Sequence, residues 1–304
     1  MTERLADVSH RLASVGQLAE VVGAMRALAA ARAREARARL NSVRAYTQDI
    51  DDAIGRTLPL LDKAGLTEPP ARAKGRLALL VFGAEQGFAG AFNARLVDAA
   101  AAAARSEDRP KLLMLIGSRA LTAAKARGMI PDWSHPMIVH LDRAAGLAEA
   151  IVTRLFEGLA DGDIGSILLL HAGAGEEAAP VARRLAPFDY SRFPSLKAAQ
   201  SPLLNMPAAA LLPRLAEEHL FAEIVEAAVL SFAAENEARL RAMTKAQRHI
   251  DELLERLNAR ARTLRQEEIT NEIIELATDA AALAVGNTRP ERSQDFAAAA
   301  QLNW

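Results

Sequence analysis

Cysteine is absent from this 304-residue chain. Its absence excludes disulfide bonds and thiolate metal sites, and it is compatible with a reducing cytosol. Aromatic residues make up only 4% of the sequence, whereas the apolar fraction reaches 51% and contains much alanine. A composition rich in alanine and poor in aromatics favours close helix packing and long helices over a β-sandwich.

Excess charge and long apolar runs are also missing. The formal net charge is −1, so the chain has no overall electrostatic attraction for nucleic acid. No run of 18 apolar residues occurs, and the first residues, Met1–Leu5, lack the pattern of a signal peptide. We therefore predict a soluble protein with no membrane-spanning segment.

Glycine and proline are absent between Arg214 and Val285. These residues normally interrupt a globular chain every few positions, so the gap predicts one helix longer than a single core can use. Its apolar residues keep a 4,3 spacing in two series, which the step from Leu264 to Ile269 separates. That step indicates a local change of supercoil or the end of a paired region. The first series is Ile250, Leu254, Leu257, Ala261 and Leu264, and the second is Ile269, Ile273, Leu276, Ala280 and Leu283.

A second long helix is predicted over Glu3–Leu58, where Pro59 ends it. Apolar residues form two neighbouring stripes, about the width that packing against a partner helix requires. One stripe contains Leu5, Val8, Leu12, Val15, Ala19 and Val22, and the other contains Leu18, Val21, Met25 and Leu28. Two long terminal helices around a globular insert can pair as an antiparallel coiled coil.

The pattern changes between these helices, after a linker at 63–75. Short apolar runs, typical of strands, alternate with helical stretches, and this alternation predicts a parallel sheet covered on both faces. The predicted strands are Leu77–Phe82, Leu112–Ile116, Met137–Val139 and Ile167–Leu170. The predicted helices are Ala89–Arg105, Arg119–Arg127 and Ala144–Leu159.

The expected fold class is α/β with long helices: an antiparallel two-helix coiled coil plus an inserted, Rossmann-like open α/β domain. The predicted parts are an N-terminal helix (1–62), the α/β domain (76–195), a C-terminal helix (210–285) and a tail (286–304).

The segment from Gly83 to Gly90 is the most enzyme-like stretch, because it follows a strand and precedes a helix. A dinucleotide-binding fingerprint needs a glycine at position 85, where this chain has Glu85, whose charge would repel phosphate. No Walker-type loop ending in Gly-Lys-Ser/Thr is present. We interpret the segment as a structural strand–turn–helix connection.

Other candidate chemistry is equally sparse. The histidines at 10, 135, 140, 171, 219 and 249 are scattered without metal-ligand spacing. Ser118 lacks the following glycine of a nucleophile elbow, so we interpret it as a helix N-cap. We therefore predict no catalytic residue, no cofactor and no metal. The basic stretch 32–44 has three open interpretations, namely a solvated helix face, protein contact, or contact with phosphates or an anionic membrane surface.

Several segments resemble the gamma subunits of F-type ATP synthases. Near the N-terminus, Gly23-Ala-Met25-Arg-Ala-Leu-Ala-Ala-Ala31 is similar to an Ala-Met-x-x-Val-Ala-Ala core. Gly87-Phe-Ala-Gly-Ala-Phe-Asn93 resembles the family's Gly-Leu-Cys-Gly-Gly-Phe-Asn run, and Ile116-Gly-Ser-Arg119 resembles an Ile-Gly-Ser-Lys segment. The strongest resemblance lies in the C-terminal helix, at Glu237–Met243 and Arg265–Glu275.

This resemblance implies a non-catalytic central rotor stalk that couples ion-driven ring rotation to ATP synthesis or hydrolysis. The implied partners are the alpha and beta subunits of the catalytic hexamer, the epsilon subunit and the membrane c-ring, and no nucleic acid. The implied location is peripheral, on the cytoplasmic face of the bacterial inner membrane. The partner-binding residues carried over are Met25, Leu204, Arg239, Met243, Arg265, Gln266, Thr270, Glu272 and Glu275.

Some positions depart from the family pattern. Glu85-Gln86 replaces Asp-Arg, Ala89 replaces the cysteine, and the connector Leu203–Pro207 lacks the usual tyrosine. The tail at 286–304 is also longer than the family often has. Two alternatives stay open, an α/β nucleotide-binding enzyme with helical arms and a static scaffold that is a gamma paralogue.

Overall fold

A computed structural model describes residues 4–61, 75–173, 179–193 and 203–286 of the chain. Both predicted long helices are present within these ranges. Helix α1 covers Leu5–Thr57 and passes into a 3-10 turn at Leu58–Leu60. Helix α5 covers Ala208–Gly286. The tail prediction for 286–304 lies outside the described residues beyond Gly286.

Helix α5 begins earlier than the sequence pattern predicts, because Pro213 lies inside it. The carbonyl of Pro207 accepts the N–H groups of Ala210 at 2.9 Å and Leu211 at 3.0 Å, which starts the first turn. A proline removes one helical hydrogen bond, here the bond to Ala209, and this loss is tolerated near the start of a helix. The stretch without glycine and proline, which begins at Arg214, is therefore only part of α5, and the helix starts two residues before the predicted position 210.

In the described segments between α1 and α5, the chain forms five strands and three shorter helices. The strands are β1 Arg76–Phe82, β2 Lys111–Ile116, β3 Trp133–His135, β4 Ile164–Ala172 and β5 Pro180–Ala186. The helices are α2 Phe92–Ser106, α3 Ser118–Lys125 and α4 Ala144–Ala160, and 3-10 turns occur at Leu141–Arg143 and Tyr190–Arg192.

The strands form one mixed sheet in the order β3-β2-β1-β4-β5. Strands β1 to β4 are parallel, and β5 joins the edge antiparallel to β4. The prediction of a wholly parallel sheet was wrong for β5. This strand has Arg183 and Arg184 at its centre and one buried residue, Leu185, so it contains no apolar run to detect.

The third strand was also misplaced. Met137 and Ile138 are buried, as their apolar character predicted, but they lie outside the sheet. Pairing with Met114–Ile116 instead places β3 at Trp133–His135, immediately before Pro136. Burial and strand pairing are separate properties, and an apolar run reports only burial.

Each face of the sheet is covered. On one face, Leu80 and Leu169 pack in a cluster with residues of α1, α4 and α5, among them Leu40, Ile151 and Phe232. On the opposite face, Leu79 and Leu115 pack in a cluster with residues of α2 and α3. Helix α5 is therefore built into the core of the sheet domain.

Contacts divide the chain into two units, one formed by residues 20–248 and one by residues 1–19 with 249–304. Within the first unit, side chains join α1 and α5 in antiparallel order. Arg37 meets Glu237 at 2.8 Å, Arg44 meets Glu226 at 2.9 Å, and the Tyr46 hydroxyl donates to Glu218. Along α1, most buried positions of this unit repeat with 4,3 spacing: Val22, Ala29, Ala33, Ala36, Leu40, Thr47, Ile50 and Ile54.

Candidate functional site

The loop after β1 contains the Gly83–Gly90 segment. A Cβ atom at Gly83 would lie 2.2 Å from the Cβ of Ala120, so only glycine lets β1 approach α3 this closely. The Asn93 side chain accepts the backbone N–H of Ala84 at 2.8 Å and fixes the turn into α2. The segment is a close structural junction between a strand and two helices.

The Glu85 carboxylate joins three loops at the carboxyl edge of the sheet. It accepts the N–H of Ser118 at 3.0 Å, the Ser118 hydroxyl at 2.6 Å and the N–H of Met137 at 2.8 Å. Gly117, not Ser118, is the N-cap of α3, so the N-cap interpretation of Ser118 was wrong. A backbone N–H at the start of a helix, which suits a phosphate, here binds a carboxylate of the chain itself.

A second carboxylate reaches the same loop from α5. Glu235 accepts the N–H groups of Glu85 at 3.3 Å and Gln86 at 3.2 Å, and it pairs with Arg239 at 2.5 Å. Arg239 also donates to the carbonyl of Gly87 at 3.1 Å. Burial raises the pKa of Glu235, although the hydrogen bond from Arg239 opposes that rise. These contacts attach α5 to the loop.

Small side chains fill the space beside this loop. Ala234 and Ala238 of α5 pack in a cluster with Ala84, Ala172 and Phe92. Ala84 lies just after β1, and Ala172 is the last residue of β4. Doubly wound sheets bind ligands in the crevice outside the carboxyl ends of their strands. Here the alanines of α5 pack at that position, and their contacts hold the helix against the sheet.

The predicted partner-binding residues divide into buried and exposed groups. Arg239 and Met243 are buried, and the Arg239 guanidinium bonds within the chain. Met25 is half-buried and Leu204 is exposed. Arg265, Gln266, Thr270, Glu272 and Glu275 are all exposed on α5. Only the exposed residues are accessible to another protein.

Residues 265–281 of α5 are exposed without interruption, and Leu264 is the last buried residue before them. The break in spacing after Leu264 therefore coincides with the end of burial, as one of the two sequence interpretations expected. The exposed stretch includes four large apolar side chains, Ile269, Ile273, Ile274 and Leu276. Apolar side chains grouped on an exposed surface are typical of a protein-binding region.

The basic stretch 32–44 is partly explained by contacts inside the chain. Arg37 and Arg44 pair with acids of α5, and Arg32 donates weakly to Gln86 at 3.5 Å. Val21 and Leu28 lie on α1 shortly before this stretch, and both are exposed apolar residues. The second predicted stripe on α1 is therefore not buried within the chain, apart from partial burial of Met25.

A buried polar cluster between α1, α5 and β5 escaped the sequence analysis. His219 lies with Nδ1 2.8 Å from the Asp51 carboxylate, at ion-pair distance but without hydrogen-bond geometry, and with Nε2 3.3 Å from Glu223. Glu223 also pairs with Arg183. The rings of Phe188 and Phe193 meet His219 edge-on at 5.4 and 5.2 Å. The His219–Glu223 pair has i,i+4 helical spacing, which was the available sequence signal.

Burial acts on the pKa values of this cluster. It raises the pKa of Asp51 despite the attraction of His219. It also pushes the pKa of Glu223 upward, but the hydrogen bonds from His219 and Arg183 outweigh burial and hold that pKa below its usual value. Nearby, burial lowers the pKa of His171, whose Nδ1 bonds the carbonyl of Ala172 at 2.9 Å. His171 is therefore neutral near neutral pH.

Among the described residues, no group of three or more His, Asp or Glu side chains is arranged to hold a metal ion.

The stretch Leu5–Leu60 is long and apolar enough, by length and composition alone, to cross a membrane, with a mean hydropathy of 1.2 in its most apolar 18 residues. Alanine-rich helices reach such values without a continuous run of large apolar residues. Core helices of soluble proteins pass the same test of length and composition.

The fold and the surfaces define a class: an α/β protein with two long terminal helices, the second of which is exposed over residues 265–281. A sequence model described as ATP synthase matches residues 4–283. The ATP synthase gamma chain of Moorella thermoacetica is 27% identical over 257 residues, with 80% of this chain and 86% of that one covered. The gamma chain of Parafrankia sp. (strain EAN1pec) is 31% identical, with 69% and 74% covered.

Among solved structures, a chain of the Euglena gracilis mitochondrial ATP synthase, in its OSCP/F1/c-ring part, matches with a TM-score of 0.62. The sequence identity is 14%, and 96% of this chain and 98% of that chain are covered. At this identity the match concerns the fold. From the sequence matches, the chain belongs to the gamma family of ATP synthase, and the resemblance drawn from its motifs is confirmed.

Proposed function

We propose that this chain is the central stalk of an F-type ATP synthase and turns as its rotor. The family match from residue 4 to residue 283 carries the proposal, because it spans both long helices and the sheet between them. The solved relatives include the rotor of the Euglena enzyme and a central stalk with its c-ring from Tetrahymena thermophila. The chain itself contributes no catalytic group in this role.

The proposed mechanism is mechanical. Torque enters at the sheet domain, and the contacts of Glu235 and Arg239 transfer it to α5. Because both side chains are buried and bonded to the loop Glu85–Gly87, α5 cannot turn without that loop. A rotor must transmit torsion without local unfolding, and a helix packed into a sheet core is suited to this.

We infer that α1 and α5 form an antiparallel coiled coil and that the sheet is Rossmann-like. The 4,3 spacing of the buried positions and the antiparallel order of the ion pairs support the first inference. The parallel order β3-β2-β1-β4 supports the second. The divisions at 1–62, 76–195, 210–285 and 286–304 belong to the same proposal.

The proposed partners are the alpha and beta subunits, the epsilon subunit and the c-ring. We propose that Arg265, Gln266, Thr270, Glu272 and Glu275 contact the hexamer, because all five are exposed among the described residues of α5. Met25, Leu204, Arg239 and Met243 were assigned to partners by resemblance, and Arg239 and Met243 would have to leave buried sites to serve there.

We also propose that the complex lies on the cytoplasmic face of a bacterial inner membrane, with this chain peripheral to it. The two curated relatives above come from bacteria. The role of ion-driven ring rotation follows from the family alone.

The test is assembly of the purified chain with its alpha and beta subunits, followed by measurement of ATP hydrolysis. The double variant Arg265→Ala/Gln266→Ala should lower turnover, because charged and bidentate contacts between subunits are each worth ~1.5–3 kcal/mol when desolvated. Arg105→Ala, at the exposed end of α2, is the matched control and should leave turnover unchanged.

Failure to assemble would remove the rotor proposal. Unchanged turnover of the double variant in a confirmed assembly would reject only the assignment of Arg265 and Gln266. A micromolar nucleotide site on the isolated chain, measured by calorimetry, would favour the α/β enzyme instead.

A further inference from the structure

The α1–α5 pair within residues 20–248 has few large side chains along part of its seam. Alanines fill successive buried positions of α1 at Ala29, Ala33 and Ala36. Large side chains that fit into holes on the partner helix fix the axial register of paired helices. Alanine is too small to fill such a hole, so it fixes the register only weakly. An alanine seam with a seven-residue repeat can therefore shift by one heptad, about 10.5 Å, and still present the same faces.

Polar pairs cross the seam at four places. They are Arg37–Glu237, Arg44–Glu226, Tyr46–Glu218 and Asp51–His219. Glu226, Glu237 and His219 are shielded from solvent to a large degree, with side-chain exposures of 13%, 10% and 5%. Charges in such positions are costly when they lose their partners.

Every one of these pairs is lost if α1 shifts by one heptad. In one direction Asp51 would face Glu226, a like charge, and Arg44 would face Ala233. In the other direction Asp51 would face Leu212, and Arg44 would face His219. Arg37 would face Thr244 or Leu230, and neither is charged.

We propose that these four pairs set the axial register of α1 against α5, with the buried His219 as the residue least tolerant of displacement. Buried polar pairs often contribute little net stability, and setting register is their best-supported role. Here the His219 ring is also enclosed by Phe188 and Phe193, so it cannot turn away to follow a shifted partner. The proposal concerns the chain alone and does not depend on the rotor function.

The absence of native cysteine makes the register measurable by crosslinking. Gly23→Cys with Gln247→Cys reports the native register, since a Cβ at Gly23 lies 3.9 Å from the Gln247 side chain. Gly23→Cys with Leu240→Cys reports the shift in one direction, and Ala30→Cys with Gln247→Cys reports the other. A bifunctional maleimide shorter than one heptad rise distinguishes the three.

The native reporter should crosslink about tenfold or more over both shifted reporters in the otherwise unchanged chain. Arg44→Glu should raise the Gly23→Cys/Leu240→Cys product several-fold, because a carboxylate at position 44 repels Glu226 and can accept a hydrogen bond from His219 in the shifted register. Arg44→Glu combined with Glu226→Arg should restore the native pattern.

A native pattern in Arg44→Glu, equal to that of the parent, would overturn the proposal and assign the register to the sheet contacts of Ala36 and Leu40. If Arg44→Glu fails to fold by circular dichroism, the double swap decides. Recovery of the fold and of native crosslinking supports the proposal, and failure to recover overturns it.

Discussion

Residues 222–239 and residues 265–281 belong to the same helix, yet they have opposite environments. Every residue of the first stretch is buried or half-buried, and every residue of the second is exposed. Both stretches contain isoleucine, alanine and glutamate, so the presence of these residue types alone does not separate them. The first stretch is stabilised by the sheet core, whereas the second depends on helix propensity and on continuity with the rest of α5. One helix thus provides both a core element and an exposed stretch.

Removing one carboxylate from each stretch should give the largest difference in the free energy of unfolding between them. Glu235→Ala leaves Arg239 buried without its ion-pair partner and should lower the free energy of unfolding by about 3–5 kcal/mol. Glu275→Ala, in the exposed stretch, should change it by less than about 0.5 kcal/mol. Chemical denaturation of the isolated chain measures both. Equal losses would mean that Glu235 does not hold α5 to the loop after β1.

The same substitution at one isoleucine of each stretch tests the difference in burial directly. Ile224 is fully buried and Ile273 is 60% exposed. Ile224→Ala should cost about 2–5 kcal/mol through lost burial and a cavity, and Ile273→Ala should be nearly neutral in the isolated chain. Thermal unfolding followed by circular dichroism tests the pair. A large loss at Ile273 would show that residues 265–281 are packed in the isolated chain.

The buried region should also respond to acid through His171. Because burial lowers the pKa of His171, the unfolded chain binds a proton that the folded chain does not. Above the unfolded pKa of about 6.5, neither state is protonated and His171 does not affect the free energy of unfolding. As the pH falls below that value, proton binding by the unfolded chain lowers the free energy of unfolding by at most ~1.4 kcal/mol per pH unit. His171→Gln should flatten the stability profile below about pH 6.5, the ordinary pKa of histidine. Parallel profiles for the two proteins would contradict a neutral, buried His171.

The smallest expected effect is a gain. A Cβ at Gly16 of α1 would meet nothing within 4 Å, so Gly16→Ala should stabilise the helix by about 0.4–1 kcal/mol. Gly83→Ala is the contrast, because its Cβ would collide with Ala120 and cost about 1–3 kcal/mol. Melting temperatures that move in the same direction for both variants would contradict this difference.

The sequence pattern was sufficient for the two long helices and for three of the five described strands. These features depend on local periodicity and on residues within a few positions of one another. The break after Leu264 was also visible, since a 4,3 spacing is a local property, but only the structure shows that burial ends there. The family was visible in short motifs at both ends of the chain.

Tertiary structure decided the rest. Strand β5 exists because its backbone pairs with β4, and its arginines reach Glu107 and Glu223 from distant parts of the chain. Arg239 matches a family motif, but only the folded chain shows that its side chain is buried against Glu235 and Gly87. The neighbours of His219 likewise come from α1 and from the segment after β5. Periodicity determines which face of an element is apolar, whereas long-range contacts determine what that face meets.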